Sequence, residues 1–246
     1  MSTTWAYFWW VILPYVAMAI FVLGHIWRWR YDRYGWTSYS TQLQERRRLK
    51  WGAPLFHYGT FAAIFGHVLG ILIPKPWIDA IGIPDHVYHL FSATAGLLAA
   101  ALVIIGVVIL ATRRLFVPRV RATTSPVDWV ALILLGIMVG LGIATTVVNV
   151  GLEHEYRETI SIWFRGLFTG TADVSVAERA PLIFQIHAIA AWLLFLVWPF
   201  TRLVHAWSYP LWYLWRPFIV YRSRGTRHPN EPGTSGRRWR RVGTTF

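Results

Sequence analysis

The chain has 246 residues, of which 55% are hydrophobic and only 14% are charged, and its formal net charge is +13. Soluble domains carry roughly 25% charged residues, so the composition argues against a soluble globular protein and indicates an integral membrane protein. The basic residues alternate with apolar segments along the chain, which is typical of membrane topology and argues against nucleic-acid binding.

Five apolar segments predict five transmembrane helices, because a helix of roughly 20 residues spans the hydrocarbon core. They cover Trp5–Trp27, Trp51–Pro74 and, approximately, Val87–Thr112, Val127–Val148 and Leu182–Val204. The third is rich in small residues that allow close helix–helix approach, among them Ala99 and Gly106. The predicted fold is an all-α membrane bundle over residues 1–222, in which Asn149–Ala180 is a loop. A basic, disordered cytoplasmic tail is predicted for residues 223–246.

The basic residues lie mostly on one side of these segments. Arg28–Lys50, Arg113–Arg121 and the C-terminal part hold twenty of the 24 Lys and Arg residues, and Lys75–Asp85 and Asn149–Ala180 hold four. The positive-inside rule therefore predicts an N-terminus outside the cell and a C-terminus in the cytoplasm, as in a multi-pass protein of the cell membrane.

Four histidines lie in two of the apolar stretches: His57 and His67 in the second segment, and His187 and His205 in Pro181–Pro210. An ionisable side chain in a spanning helix is costly, so it is expected to face the protein interior and to have a partner. The chain has no cysteine and only three methionines, which excludes thiolate-bound clusters and leaves histidine as the main candidate ligand of a redox metal. A hydrogen-bonded histidine without metal is the alternative for each one taken alone.

Antiparallel helices would pair His57 with His205 toward the inner face and His67 with His187 toward the outer face. Each pair can supply the two axial nitrogens of a six-coordinate b haem. The rises differ: ten residues between His57 and His67 give about 15 Å, and eighteen between His187 and His205 give about 27 Å. Eighteen residues are five turns, which places His187 and His205 on one helix face. Helix tilt or a bend at Pro199 must then absorb the difference.

Two further sets of residues have two interpretations each. Small residues recur at helical spacing beside the first two histidines: Gly59, Ala63, Gly66 and Gly70. A flat porphyrin could approach the backbone there, or the residues could serve ordinary helix packing. Three arginines at the inner boundary could bind haem propionates or could only anchor the topology: Arg113, Arg114 and Arg202.

Three segments carry a resemblance to a known family: LFHYGTFAAIFGH, RRLFVPRVRATT and IHAIAAWLLFLVWPFTRLVHAWSYP. They closely resemble the cytochrome b subunit of membrane-bound respiratory nitrate reductase, its gamma chain. The resemblance extends from PYVAMAIFVLG to about Tyr213 and does not include the arginine-rich tail after Arg222. It implies five transmembrane helices with two b haems. His57 and His205 would be the ligands of the haem near the cytoplasm, and His67 and His187 those of the haem near the outer face.

The resemblance also implies a quinol site near the outer face. In the family a lysine at the outer start of the third helix is linked to quinol binding, and this chain has Tyr88 at the matching position. The residues implied for the site are Gly66, His67, His86, Tyr88 and His89. For His86 and His89, simple solvation at the membrane surface is the alternative.

The resemblance implies that the protein oxidises menaquinol or ubiquinol and passes electrons through the outer and then the inner haem to a cytoplasmic partner. The implied partners are a beta subunit with iron–sulfur clusters and an alpha subunit with the molybdenum site, besides membrane lipids. The chain alone could not reduce nitrate, because it has no cysteine for clusters. One alternative is a diheme cytochrome b of another quinone-linked enzyme, such as formate dehydrogenase, hydrogenase or heterodisulfide reductase. Another is a haem-free membrane anchor or transporter.

Overall fold

A computed structural model describes residues 3–152 and 156–208. Five long helices lie in these ranges: α1 (Thr4–Tyr31), α2 (Arg47–Leu72), α3 (Asp85–Phe116), α4 (Pro126–Leu152) and α5 (Leu182–Phe200). By length and composition, all five can cross a membrane, so the predicted all-α fold with five spans is confirmed. The predicted tail and the domain boundary at residue 222 lie outside the described residues.

Short helices join the long ones: Lys75–Ala80, Pro118–Ala122, Ile160–Thr169 and Val174–Glu178, with 3-10 turns at Arg33–Gly35 and Tyr156–Glu158. α1, α3 and α4 continue about a turn past the ends of the predicted apolar segments, since polar residues can continue a helix into the interface. α2 begins at Arg47 rather than at Trp51. Apolar length therefore gave the number of helices better than their ends.

The long helices pack in the order α2, α3, α4, α5 and α1. The most extensive packing joins α2 to α3. The predicted ligands lie on α2 and on α5 or just after it. Within the described residues, α2 and α5 make no extensive backbone contact with each other. The histidine side chains therefore meet across a gap between helices rather than inside a close helix–helix interface.

Glycines allow α2 and α3 to approach closely, as the small residues of the third segment predict. A methyl group built on Gly106 of α3 would lie 2.7 Å from the Cα atom of Phe56, and one on Gly59 of α2 would lie 2.8 Å from the carbonyl oxygen of Ala99. Real Cβ atoms do not approach backbone so closely, so only glycine fits at these crossings.

The prediction of a loop over Asn149–Ala180 was wrong for part of its length. This region contains a ten-residue helix, Ile160–Thr169, called the loop helix below. The loop helix buries Ile160, Trp163 and Leu167, which lie at the three- to four-residue spacing of an amphipathic helix. Gly170 ends it in the left-handed conformation with φ 74°, a common helix terminus.

The loop helix supports two π-helical segments, Phe8–Ile12 in α1 and Val68–Leu72 at the end of α2. Such segments, and the last turn of any helix, leave backbone carbonyls in need of donors. Three of its side chains supply them: Trp163 Nε1 donates to Trp10 O (2.9 Å), Ser161 Oγ to Gly70 O (3.0 Å) and Arg165 to Ile71 O (2.7 Å). The end of α2, directly after His67, is therefore held in place from the side.

The fifth helix ends earlier than predicted. Its α-helical part stops at Val197 and a 3-10 turn follows over Trp198–Phe200, so the predicted end at Val204 was wrong. Thr201 is extended (φ −109°, ψ 176°), and its hydroxyl accepts a hydrogen bond from Leu203 N at the start of a second 3-10 segment, Arg202–Trp207. Pro199 lacks the N–H that a continuing helix needs.

This break settles the difference in rise between the two histidine-bearing helices. His187 lies within α5, whereas His205 lies in the separate segment Arg202–Trp207. The prediction that both share one face of a continuous helix was therefore wrong. The structure thus shows a change of direction at Pro199, one of the two explanations given for the mismatch, in the form of a helix interruption.

Arg28 of α1 stabilises the break. Its side chain is buried and donates hydrogen bonds to Pro199 O (2.8 Å), Thr201 O (3.2 Å) and Gly35 O (3.0 Å). Its Nε also lies 3.1 Å from the Asp32 carboxylate. Arg28 thus supplies donors to the carbonyls that the interrupted helix leaves without intrahelical partners.

We expect Arg28→Met to destabilise the protein by about 1–3 kcal/mol, because buried carbonyls lose their donor. Thermal unfolding in detergent would measure the change. Arg30→Met is the matched control, since Arg30 lies in the same turn of α1 and is exposed. Equal losses in both variants would show that Arg28 has no special role at the break.

Candidate haem-binding site

The four histidines form two pairs, each with one ring from α2 and one from α5 or the segment after it. The ring centroids of His57 and His205 are 5.9 Å apart with a 72° angle between the rings. Those of His67 and His187 are 6.1 Å apart with a 30° angle. These are the pairs expected from antiparallel helices. An iron bound by two imidazoles needs two bonds of about 2 Å plus part of each ring, which places the centroids roughly 6 Å apart.

Hydrogen bonds fix the orientation of three of the four rings. The Nδ1 atoms lie near backbone carbonyls of the preceding turn: His57 to Ala53 O (2.7 Å), His67 to Ala63 O (2.7 Å) and His205 to Arg202 O (2.5 Å). A carbonyl only accepts hydrogen bonds, so Nδ1 carries the proton in a neutral ring and Nε2 keeps its lone pair. Histidines that bind metals are commonly held by this kind of hydrogen bond.

The surroundings of the His67–His187 pair leave space for a flat group. A methyl group built on Gly66 would meet no atom of the described residues within 4 Å, and one on Gly142 would meet the His187 ring at 3.6 Å. Gly59 and Gly70, in contrast, are filled by neighbouring residues. Helix packing thus explains Gly59, a tyrosine side chain fills the space at Gly70, and Gly66 is the position that a porphyrin could use.

His187 differs from the other three histidines. Its Nδ1 is buried and has no hydrogen-bond partner among the described residues. A buried nitrogen without a partner is costly, and such exceptions are often found at functional sites. The ring spacing of the pair and the open surroundings of Gly66 are what fit a haem held between two imidazoles.

No group of three or more His, Cys, Asp or Glu side chains that could hold a metal ion is found in the described part of the chain. A metal site built from protein ligands alone usually needs three or four of them. Six-coordinate haem takes only two protein ligands, since the porphyrin supplies the other four. The histidine pairs therefore suit haem rather than a bare metal ion.

Arg113 is one of the three arginines considered for haem propionates. It is buried, and its guanidinium donates to the Glu45 carboxylate (2.8 Å) and to Thr41 Oγ1 (2.7 Å). Burial opposes ionisation of Glu45, but hydrogen bonds from Arg48 N and from Arg113 outweigh it and hold the pKa of Glu45 below its usual value. These contacts fasten the segment between α1 and α2 to α3, which supports the anchoring interpretation. The propionate role stays a prediction.

Arg202 and Arg114 share a carboxylate partner on α4. Two guanidinium nitrogens of Arg202 lie 2.5 Å from the oxygens of Asp128, and Arg114 lies 3.7 Å from the same carboxylate. Asp128 is buried. The pairing holds the segment that carries His205 against α4, and a propionate role for either arginine stays a prediction.

The residues implied for the quinol site are placed differently from one another. Gly66 and His67 lie at the second histidine pair. Tyr88 is buried near the start of α3, His86 is exposed and His89 is half-buried. Their part in quinol binding stays a prediction.

Two neighbours of Tyr88 were not singled out from the sequence. The hydroxyl of Tyr156 lies 3.3 Å from that of Tyr88, and the guanidinium carbon of Arg157 lies 3.9 Å from the centroid of the Tyr88 ring. Both residues belong to the region that was predicted to be a loop. No sequence pattern signals their contact with Tyr88, because they come from a different part of the chain.

Comparison with known proteins identifies a family that covers most of the chain. The family model described as the nitrate reductase gamma subunit matches residues 6–224. The chain is 44% identical over 216 residues to the nitrate reductase gamma chain of Bacillus subtilis, covering 87% of this chain and 97% of that one. It is 35% identical over 217 residues to the respiratory nitrate reductase 1 gamma chain of Escherichia coli, covering 87% and 95%. It is also similar to the nitrate reductase-like protein NarX of Mycobacterium tuberculosis, 40% identical over 218 residues, which are 87% of this chain and 33% of NarX.

Proposed function

Because this chain belongs to the family of nitrate reductase gamma subunits, we propose that it oxidises quinol and delivers the electrons to partner subunits through two b haems. Family membership makes it a membrane subunit of respiratory nitrate reductase and confirms the resemblance found in the sequence. The observation that carries the haem proposal is the pair of imidazole couples, 5.9 and 6.1 Å between centroids.

His57 and His205 would hold one haem b, and His67 and His187 the other. Haem b supplies a one-electron redox centre, so two of them at different depths offer electrons a route across the membrane. His57, His67 and His205 would present Nε2 to the iron, since the Nδ1 atom of each is committed to a backbone carbonyl. The neighbouring carbonyl also strengthens the imidazole as a ligand.

The quinol, menaquinol or ubiquinol, would bind at the end of the bundle that contains His67, beside Gly66, where the structure leaves space. The charge pattern supports an outer location for this end in the cell membrane, with the C-terminus in the cytoplasm. The partners would be the iron–sulfur beta subunit and the molybdenum-containing alpha subunit on the cytoplasmic side. Releasing protons outside while electrons move inward would store about 2.3 kcal/mol per charge per 100 mV.

We expect the isolated complex to show a b-type absorption band that appears when quinol is added and disappears when nitrate follows. A reduced-minus-oxidised spectrum of the solubilised complex measures this directly. A protein without a b-type band would be a haem-free anchor. A band that quinol reduces but nitrate does not reoxidise would assign the chain to another quinone-linked oxidoreductase.

A further inference from the structure

Tyr156 lies between the two helices that carry the His67–His187 pair. A methyl group built on Gly70 would lie 2.5 Å from the Tyr156 hydroxyl, so the hydroxyl rests against the backbone of α2. On its other side, the Tyr156 ring stacks on Phe184 of α5, with 6.5 Å between centroids and a 14° angle. This phenol therefore bridges α2 and α5.

Both contacts are one helical turn from a histidine of the pair. Gly70 follows His67 by three residues in α2, and Phe184 precedes His187 by three residues in α5. Residues three apart in a helix are surface neighbours. Tyr156 thus contacts α2 and α5 within one helical turn of His67 and His187.

The Tyr156 hydroxyl oxygen lies 3.3 Å from the hydroxyl oxygen of Tyr88, which is buried. Tyr88 follows Asp85 by three residues on α3, so the two are neighbours on the helix surface. The Asp85 side chain is 52% exposed and is held by Lys75 and Arg157, each 3.0 Å away. Tyr156, Tyr88 and Asp85 therefore form a series in which the first two hydroxyls lie 3.3 Å apart and the last two residues are one helical turn apart.

Arg157 contacts both Tyr88 and Asp85. Its guanidinium stacks on the Tyr88 ring, 3.9 Å from the centroid, and donates to Asp85. The side chain is buried, so its positive charge acts in a poorly screened environment. Negative charge that develops at a nearby oxygen would be stabilised there.

We propose that the Tyr156 hydroxyl contacts the bound quinol and that Tyr156, Tyr88 and Asp85 carry its protons out. This inference rests on the proposed function. Oxidation of one quinol breaks two O–H bonds, and a haem held by His67 and His187 would accept its two electrons one at a time. Each proton passes to a tyrosine oxygen as that hydroxyl releases its own to the next acceptor, and Asp85 releases it to water. A hydroxyl can do this because it both donates and accepts.

Tyr156→Phe in the intact complex tests the proposal, because it keeps the ring on Phe184 and removes only the hydroxyl. We expect quinol to reduce the haems at least about tenfold more slowly and a quinone analogue to bind more weakly. Haem content and the rate of reduction by dithionite, which does not use the quinol site, should stay unchanged. Tyr58→Phe is the matched control, since Tyr58 lies on α2 and is 71% exposed.

Gly70→Ala and Tyr88→Phe extend the test. The added methyl of Gly70→Ala would displace the Tyr156 hydroxyl without removing it, so this variant should show the same slow reduction by quinol. Tyr88→Phe should slow reduction by quinol and leave analogue binding nearly unchanged, because Tyr88 is the second group in the series. A change in the solvent deuterium isotope effect would separate a proton-carrying role from a structural one.

The outcomes distinguish this inference from the proposed function. If quinol does not reduce the haems of the unmodified complex, the proposed function fails and this inference fails with it. If quinol reduces the unmodified complex and Tyr156→Phe behaves identically in rate and analogue binding, only the inference is overturned. If Tyr156→Phe loses haem, the test rests on Tyr88→Phe. A normal rate of haem reduction by quinol in Tyr88→Phe would then reject the proton route.

Discussion

Replacing His205 with alanine should remove one haem from the protein and leave the other in place. Among the described residues, His57 is the one histidine whose ring contacts that of His205. A single imidazole holds a six-coordinate haem poorly. The haem b extracted per mole of protein should fall by about half. Quinol should still reduce the remaining haem, whereas electron delivery to nitrate should be lost.

His25→Ala is the matched control for this experiment. The Nδ1 of His25 also lies close to a carbonyl of the preceding turn, Phe21 O at 2.6 Å. Its described ring contacts are with Phe21, Trp36 and Trp207 rather than with a second histidine. This variant should keep both haems, and an equal loss in the two variants would mean that His205 is not a ligand.

Replacing Gly106 with alanine should destabilise the bundle by about 3 kcal/mol, near the upper end of usual overpacking effects. The added methyl would lie 2.7 Å from the Cα atom of Phe56, and a backbone atom cannot move aside as a side chain can. Separation of α2 from α3 at this point would also displace His57, the next residue. The unfolding midpoint in detergent and the haem content of the His57–His205 pair would report the two effects.

Gly96→Ala on the same helix provides the comparison for Gly106. A methyl group at Gly96 would have its nearest neighbour, Thr146 Cγ2, at 3.8 Å, which is ordinary van der Waals contact. This variant should unfold at the temperature of the unmodified protein. Similar destabilisation of both variants would show that alanine is unfavourable at any glycine of α3. The close crossing at Gly106 would then not be the cause.

The number of spans and the pairing of the histidines could be predicted from the sequence because both follow from long-range regularities. Apolar length determines how many helices can cross a membrane. The opposite directions of α2 and α5 then determine which histidine meets which, without any knowledge of side-chain packing. His57 meets His205 and His67 meets His187, and this needs only the order of the residues along two antiparallel segments.

The end of α5 and the loop helix could not be predicted in the same way. Apolar residues occur on both sides of Pro199, up to Val204, so apolar length does not mark the break; Pro199 and the hydroxyl of Thr201 do. The loop helix follows a run of charged residues, which is typical of a loop. The helical spacing of its buried residues, Ile160, Trp163 and Leu167, was therefore missed. That spacing, followed by Gly170 as a helix terminus, is the sequence pattern that indicates this helix.

Contacts between distant parts of the chain were outside the reach of sequence reasoning. Gly70 was considered as a place for a porphyrin or for helix packing, and its real neighbour is the Tyr156 hydroxyl. Arg28 was counted as one of many basic residues, although it caps the interrupted helix. Each of these roles depends on a partner more than 80 positions away, and no local pattern encodes such a partner.

The interruption after Phe200 gives His187 and His205 separate mechanical supports, whereas their partners His67 and His57 share α2. His187 is carried by a regular helix, and His205 by a short segment that α1 and α4 hold through Arg28 and Asp128. A substitution of Arg28 in α1 is therefore expected to displace His205 more than His187. An unbroken α5 would couple these two residues, because any rotation of that helix would move both rings together.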